Sequence, residues 1–491
     1  MKNKSPIKKS KPFSRPLPSV YIMLDKVRFF PYHIALFMLF ANRHHIQHNN
    51  SGDCAMRHTC ILFGLIFLVV GCKPAESPTP VERAITIWWA QWDPADGLQE
   101  LGNKFEQETG IAVNVHQIPW PSYQDQVFLN FGNNKTDFDI VIGDSQWIGR
   151  GATRGLYVDL TDWLPTAIDI DKIHPRAARY LCEYPPGGGK FYAAPCETDA
   201  IGFVYRKDWF EDPAEQASFK EKYGRDLTIP DNWDEFRDLA EFFHRPDQKQ
   251  YGCALLTGRG YDSMTMGFQM FMWGFGGSWG EFGDFAVDGY VNKPEVAEAL
   301  AYLKELLQYG PNGATNFDYG KTFEAFINGS TAMSMNYFAF YPGIVKQMGD
   351  KAGFFMVPKA GDKRVVSLGG QGFSISTKTS AEQQELAKQF IAWFLQTDIQ
   401  KEWITKDAGF TANTDILNSD EFRNASPYNR AFAESLDYLQ DFWNAPVYNE
   451  LLAVSQRYLG EAIDGVTPAQ EALDKIAAEH EQIFKDAGLL K

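Results

Sequence analysis

The segment Phe138-Asp-Ile-Val-Ile-Gly-Asp144 is apolar almost from end to end and stops at a Gly-Asp-Ser cluster, the pattern of a strand covered on both faces. Upstream, Ile85-Thr-Ile-Trp-Trp89 reads as another buried strand, and 98–109 as an amphipathic helix with Leu98, Leu101 and Phe105 on one face. Gly110 ends that helix, and Ile111-Ala-Val-Asn-Val115 alternates as the next strand. Strand, helix and strand in this order build parallel sheets. Ligands of such sheets gather at the carboxyl ends of strands, so Trp89, Trp92, Asp144 and Trp147 mark the first candidate pocket.

Further along, 201–205 and 331–335 read as extended segments among helices at 233–243, 294–309 and 323–328. The last third is mainly helical, at 381–396, 398–405, 427–439 and 468–487. No fixed-period repeat and, after Pro80, no low-complexity segment interrupts this order.

Ahead of the first strand, 61–72 is a short apolar run ending in Val69-Val-Gly-Cys72, with Arg57 and His58 before it. About a dozen residues fall short of the roughly 20 a membrane span needs, so the run reads as the core of a signal peptide. Small residues followed by cysteine form a bacterial lipoprotein cleavage signal. A start at Met56 makes 56–71 the signal peptide, leaves 1–55 untranslated and gives Cys72 as the lipidated first residue. A start at Met1 instead places 29–41 in a longer leader that fills 1–71. The proline-rich stretch after Cys72 makes 72–83 an extended tether. The expected location is the cell envelope, periplasmic or extracytoplasmic and lipid-anchored.

From Cys72 onward 420 residues remain, more than one core usually serves, so two domains are expected. Residues 1–71 carry ten Lys/Arg and two Asp/Glu, which turns the net charge of −15 into −23 for the remainder. Such a body repels phosphate backbones and excludes nucleic acid as a partner class. Cys182 and Cys196 bracket a turn-rich hairpin, 183–189, and either form a disulfide or stay as buried thiols. From Cys72 onward no Cys-x-x-Cys pair or histidine pair at metal spacing occurs, so neither metal nor other cofactor is expected.

Five blocks resemble the sugar-type extracellular solute-binding proteins of ABC importers, the maltose-binding-protein family. They are Ile87-Trp88 with 98–113; Phe138 to Trp147 with Gly151-Ala-Thr-Arg-Gly-Leu156 and Asp159-Leu-Thr-Asp162; Ala194-Pro-Cys-Glu-Thr-Asp-Ala-Ile-Gly-Phe-Val-Tyr-Arg-Lys-Asp208; Phe326-Ile-Asn-Gly-Ser-Thr-Ala-Met-Ser-Met-Asn336; and Ser367-Leu-Gly-Gly-Gln-Gly-Phe-Ser-Ile-Ser376 with 387–395. The resemblance implies an α/β, two-lobed periplasmic-binding-protein-like fold of type II, with three interlobe crossings and a helical C-terminal region. Lobe one would be 84–197 plus 371–411 and lobe two 198–367 plus 412–491. A monomer would capture a sugar or oligosaccharide between closing lobes and deliver it to permease subunits in the membrane.

Sugars present apolar ring faces and hydroxyl edges, so their sites pair aromatic platforms with carboxylates and amides. All 13 tryptophans follow Cys72. Trp89, Trp92 and Asp93 follow the first strand, with core packing an equal reading for Trp89; Asp144, Gln146 and Trp147 follow the third. Glu197 and Asp199 straddle the first crossover, where the resemblance implies a ligand-binding acid at Asp199. Trp273 and Trp279 lie in Trp273-Gly-Phe-Gly-Gly-Ser-Trp-Gly-Glu281, read as a flexible loop at the cleft rim. Asn336, Tyr337 and Tyr341 end the Met-rich strand, Gly370 and Gln371 mark the return crossover, and Asn413 lies near the third. The family often has Trp where Gln371 stands, so Gln371 points to a different or more polar ligand.

Gly320-Lys-Thr322 ends like a phosphate loop, but Thr315 stands where the motif needs glycine. Two alternatives stay open: a binding protein for another polar or cationic solute such as a polyamine, and an extracytoplasmic carbohydrate-active enzyme using Glu197 and Asp199.

Overall fold

The computed structural model describes residues 83–406 and 409–490, and 77–491 form a compact unit of their own. The leader, Cys72 and most of the tether lie outside the described residues. Nine strands are present: β1 Ala84–Ala90, β2 Ala112–Ile118, β3 Ile140–Asp144, β4 Ala194–Arg206, β5 Tyr251–Ala254, β6 Thr331–Tyr337, β7 Ala352–Met356, β8 Val366–Ile375 and β9 Leu439–Gln440. Their order is β2-β1-β3-β8-β4-β6-β5, with β7 also on β4 and β9 on β8.

The first three strands pair in parallel through β1, as the strand–helix–strand pattern predicts. The helix between them, Asp93–Thr109, buries Leu98, Leu101 and Phe105 and ends on Gly110 in the left-handed conformation. β5 and β6 form the parallel pair of a second sheet.

β4 belongs to both sheets: it pairs with β8 over Ala194 to Ala200 and then with β6 and β7 over Ile201 to Arg206, while β8 reaches β3 with its other edge. These neighbouring strands are two of the crossings that join the lobes. The third leads from helix Thr397–Trp403 past Phe410, whose carbonyl accepts from Thr198 N, to helix Asn429–Ser435.

Helix Ala381–Phe394 packs on the first sheet, and Asn429–Ser435 on β4 and β7 of the second. Beside the second sheet, Ser263–Gly274, Pro294–Leu307, Tyr448–Ile463 and Ala469–Asp486 pack together. Ser263–Gly274 has no exposed face: every residue in it is buried. Among the described residues no helix is long and apolar enough to cross a membrane.

The hairpin after helix Pro175–Leu181 corrects the disulfide expectation. Its backbone pairs Cys182 with Tyr192, while Cys196 lies beyond in β4, at a register shift. Both are buried free thiols, and burial pushes both well above the usual thiol range.

Gly370 adopts φ 98 in β8, and a Cβ there would stand 2.3 Å from the Glu197 carbonyl oxygen. Gly370→Ala is expected to lower the unfolding free energy by about 1–3 kcal/mol through this strain, measured by urea denaturation.

Candidate functional site

Three adjacent strands set Asp144, Gln371 and Glu197 in one row, Asp144 opposite Gln371 and Gln371 opposite Glu197. Partners in register on neighbouring strands face the same side. Glu197 reaches this row through a β-bulge: the β4 register shifts between Pro195 and Glu197, so Cys196 is the extra residue. Without the shift Cys196 would stand opposite Gln371. The Gln371 amide oxygen accepts from the indole N–H of fully buried Trp89, which fixes its orientation.

The short turn Ser145–Trp147 follows β3. Trp147 Nε1 donates to Tyr261 Oη at 2.8 Å, and that hydroxyl lies 3.3 Å from Asp144 Oδ2. Trp120, just past β2, stands edge-on to Tyr261 at 5.5 Å and parallel to Trp147 at 6.5 Å. Tyr261 has φ 45, a conformation that bulky side chains adopt at a cost and that concentrates at functional sites.

Further contacts cross between the lobes. Gln124 donates to Tyr448 Oη and to Asn449 Oδ1, and Gly149 N donates to Asn444 Oδ1 at 2.7 Å. They tie the turn after β3 and the helix after β2 to residues some 300 positions further along the chain.

On the second-lobe side, Asp199 accepts from Ala200 N at 2.7 Å and Ala339 N at 3.2 Å. Tyr319 Oη donates to Asp262 Oδ1 at 2.8 Å, and Tyr337 Oη to the Leu368 carbonyl at 2.9 Å. Asn336 is buried and ties Tyr319 O and Thr322 Oγ1 together, a bracing role.

Burial dominates the electrostatics. It pushes the Asp144 carboxyl up to about 6, against the lowering effect of hydrogen bonds from Ser145 and Tyr261. It pushes Asp441 up to about 7 and both Asp199 and Asp262 to about 8. Glu197 lies well above the usual carboxylate range, through burial first and then the charges of Asp199 and Asp144.

The other expected residues stand elsewhere. Trp92 precedes the first helix and, with exposed Asp93, borders a separate groove shared with Val115 to Gln117. Trp89 is core, edge-on to Trp92. Trp273 ends a buried helix at 7 % exposure, and Trp279, at 3 %, donates to Gln269 and packs on Phe442 and His480. The expected rim loop is therefore lobe-two core, because apolar neighbours enclose both indoles. Tyr341 is buried, its hydroxyl on the Asn336 carbonyl, and Asn413 caps a helical turn by accepting from Asp415 N and Ile416 N.

Sequence reasoning missed Trp120, Tyr261, Asp262, Tyr319 and Asp441. Trp120 obeys the strand-end rule already applied to Trp89, since it follows β2 by two residues. Tyr261, Asp262 and Asp441 lie on loops whose approach to β3 is a long-range fact with no local pattern.

The model of the bacterial extracellular solute-binding protein family matches residues 100–428, and the chain belongs to that family. The family is one of extracellular binders, which places the folded body outside the cytoplasm. Among its relatives, the maltotriose-binding protein of Pyrococcus abyssi (strain GE5 / Orsay) is 23 % identical over 290 residues, 58 % of this chain. The chain spans 57 % of that relative's length. Two solved structures share the two-lobed fold. An ABC transporter solute-binding protein of Agrobacterium radiobacter K84, in complex with ribitol, has a TM-score of 0.70 and 23 % identity, covering 82 % of this chain and 99 % of its own. Maltose-bound T. maritima MalE3 has a TM-score of 0.69 and 22 % identity over the same shares. All three are binding proteins.

A carboxyl held above its unfolded value of 3.8 binds protons more tightly when folded, so its contribution to stability is present at low pH and lost as pH rises through the folded value. Asp144, Asp441, Asp199 and Asp262 place that loss between about 4 and 8. Buried His480, lowered to about 4, acts oppositely, costing stability as pH falls below 6.5. The ligand-free protein is expected to melt higher near pH 6 than at pH 8, and Asp441→Asn to reduce the difference; differential scanning calorimetry across pH checks this.

Proposed function

We propose that the chain is the substrate-binding component of an ABC importer, capturing a sugar or polyol between its lobes and passing it to a membrane permease. The observation that carries this is the row Asp144–Gln371–Glu197 beside Trp147 and Tyr261. Carboxylates and an amide suit hydroxyl edges, and indole and phenol faces suit ring carbons. The printed ligands of the relatives, maltotriose, ribitol and maltose, support the same class. The lobes are taken as 84–197 plus 371–411 and 198–367 plus 412–491, so the row belongs to the first lobe, with Glu197 and Gln371 at its boundary, and Tyr261 reaches it from the second. Binding between them would favour the closed state in proportion to its extra contacts there.

In this reading lipid on Cys72 holds a monomer at a membrane, with 72–83 as its tether. Cys72→Ala is expected to shift the protein from the membrane pellet to the soluble fraction.

Thermal shift of the purified protein against ribitol, maltose and maltotriose, with recovery of each ligand, tests the function. A raised melting temperature with ligand recovered intact is expected; a converted ligand would replace capture with catalysis. Trp147→Ala is expected to weaken binding by about 1–3 kcal/mol in calorimetric titration.

A further inference from the structure

Five buried carboxylates from four segments lie within electrostatic reach of one another. Asp144 ends β3, Glu197 and Asp199 lie on β4, Asp262 precedes helix Ser263–Gly274, and Asp441 follows β9. Among the described residues, none of the ion pairs includes any of the five. They act on one another instead: the Asp144 charge raises Glu197, Asp262 and Asp441, and Asp199 raises Glu197.

One of them lacks hydrogen bonds altogether, and a second is only half satisfied, its Oδ1 accepting from Phe442 N at 2.8 Å. Glu197 is 0 % exposed and neither carboxylate oxygen has a partner; Asp441 is 6 % exposed and its Oδ2 has none. Buried polar groups are nearly always satisfied, and buried charges are paired. A carboxylate left bare at a closing interface asks for its partner from outside the chain.

The partner's chemistry follows from what is missing. Hydroxyl groups would supply donors but do nothing for the mutual repulsion that keeps these acids from ionising together. A protonated amine supplies three donors and the compensating charge together. A metal ion fits less well, because among the described residues no three His, Cys, Asp or Glu side chains lie close enough to share one. Asp144 and Glu197 are two strands apart, about 10 Å between their backbones, a gap on the scale of one sugar ring. The half-buried rings of Trp120 and Tyr261, edge to face at 5.5 Å with the Tyr261 hydroxyl on Asp144, add faces on which a cation is favourable.

We propose that the captured solute is an amino sugar, its protonated amine held at Glu197 in the field of the neighbouring acids. This deepens the sugar-binding reading above and rests on it.

Calorimetric titration of the full-length protein at about pH 6.5, with the glucosamine disaccharide, its N-acetylated form, cellobiose and spermidine as probes, tests the proposal. Acetylation removes the charge and keeps the ring, so the free amine is expected to bind at least about tenfold tighter than either neutral disaccharide. Glu197→Gln is expected to abolish that preference while raising the melting temperature of the ligand-free protein, which reports that the variant folds; Asp441→Asn serves as a second variant. Equal or tighter binding of a neutral disaccharide, or an unchanged preference in both variants, overturns the amine assignment and leaves sugar capture standing. Binding of spermidine alone overturns the sugar class and keeps the amine. No binding by any probe overturns the amino-sugar assignment.

Discussion

The antiparallel ladder between β4 and β8 is shared by both lobes, and the position of every cleft residue depends on it. β4 finishes one sheet and begins the next without a break, so the lobes are joined by backbone hydrogen bonds as well as by covalent chain. Central strands are the most solvent-protected places to put a polar row, and the row of Asp144, Gln371 and Glu197 sits there. Gly370 lets the two backbones approach at the crossing, where a side chain would collide with the Glu197 carbonyl. The bulge at Cys196 decides which β4 side chain enters the row.

The first sheet was legible because its signals are local. The apolar run ending at Asp144, the helix face of Leu98, Leu101 and Phe105, and Gly110 all appear as patterning predicts. The continuous strand Ala194–Arg206 was read only as its second half, because polar Glu197, Thr198 and Asp199 break the apolar pattern where it crosses between lobes. Helix Ser263–Gly274 was read as part of a loop because burial on all sides removes the polar face that makes a helix visible. The same burial turns Trp273 and Trp279 from rim residues into core.

Gln146 turns to Met266 Sδ and Trp147 is fully buried, while Asp144 and the crossover acids Glu197 and Asp199 were legible as candidates by type and place. Their electrostatic character was not. It arises first from burial, which no residue pattern records, and the Asp144 charge in turn raises Asp262 and Asp441, 118 and 297 positions further along the chain. Asp144 stands at the centre of this cluster: it perturbs three other carboxyls, and it faces Tyr261, whose backbone is held in an unfavourable conformation.

The bond from Trp89 to Gln371 joins the packed interior of the first lobe to the wall of the cleft. An apolar side chain at 371 would free space for a larger solute and at the same moment strand an indole N–H inside the core, where the loss of a partner costs about 1–3 kcal/mol. Divergence at this position is therefore a paired event: a lineage that changes what the pocket prefers at 371 must also change residue 89 or supply its nitrogen with a new acceptor, so the two positions are expected to covary among homologues.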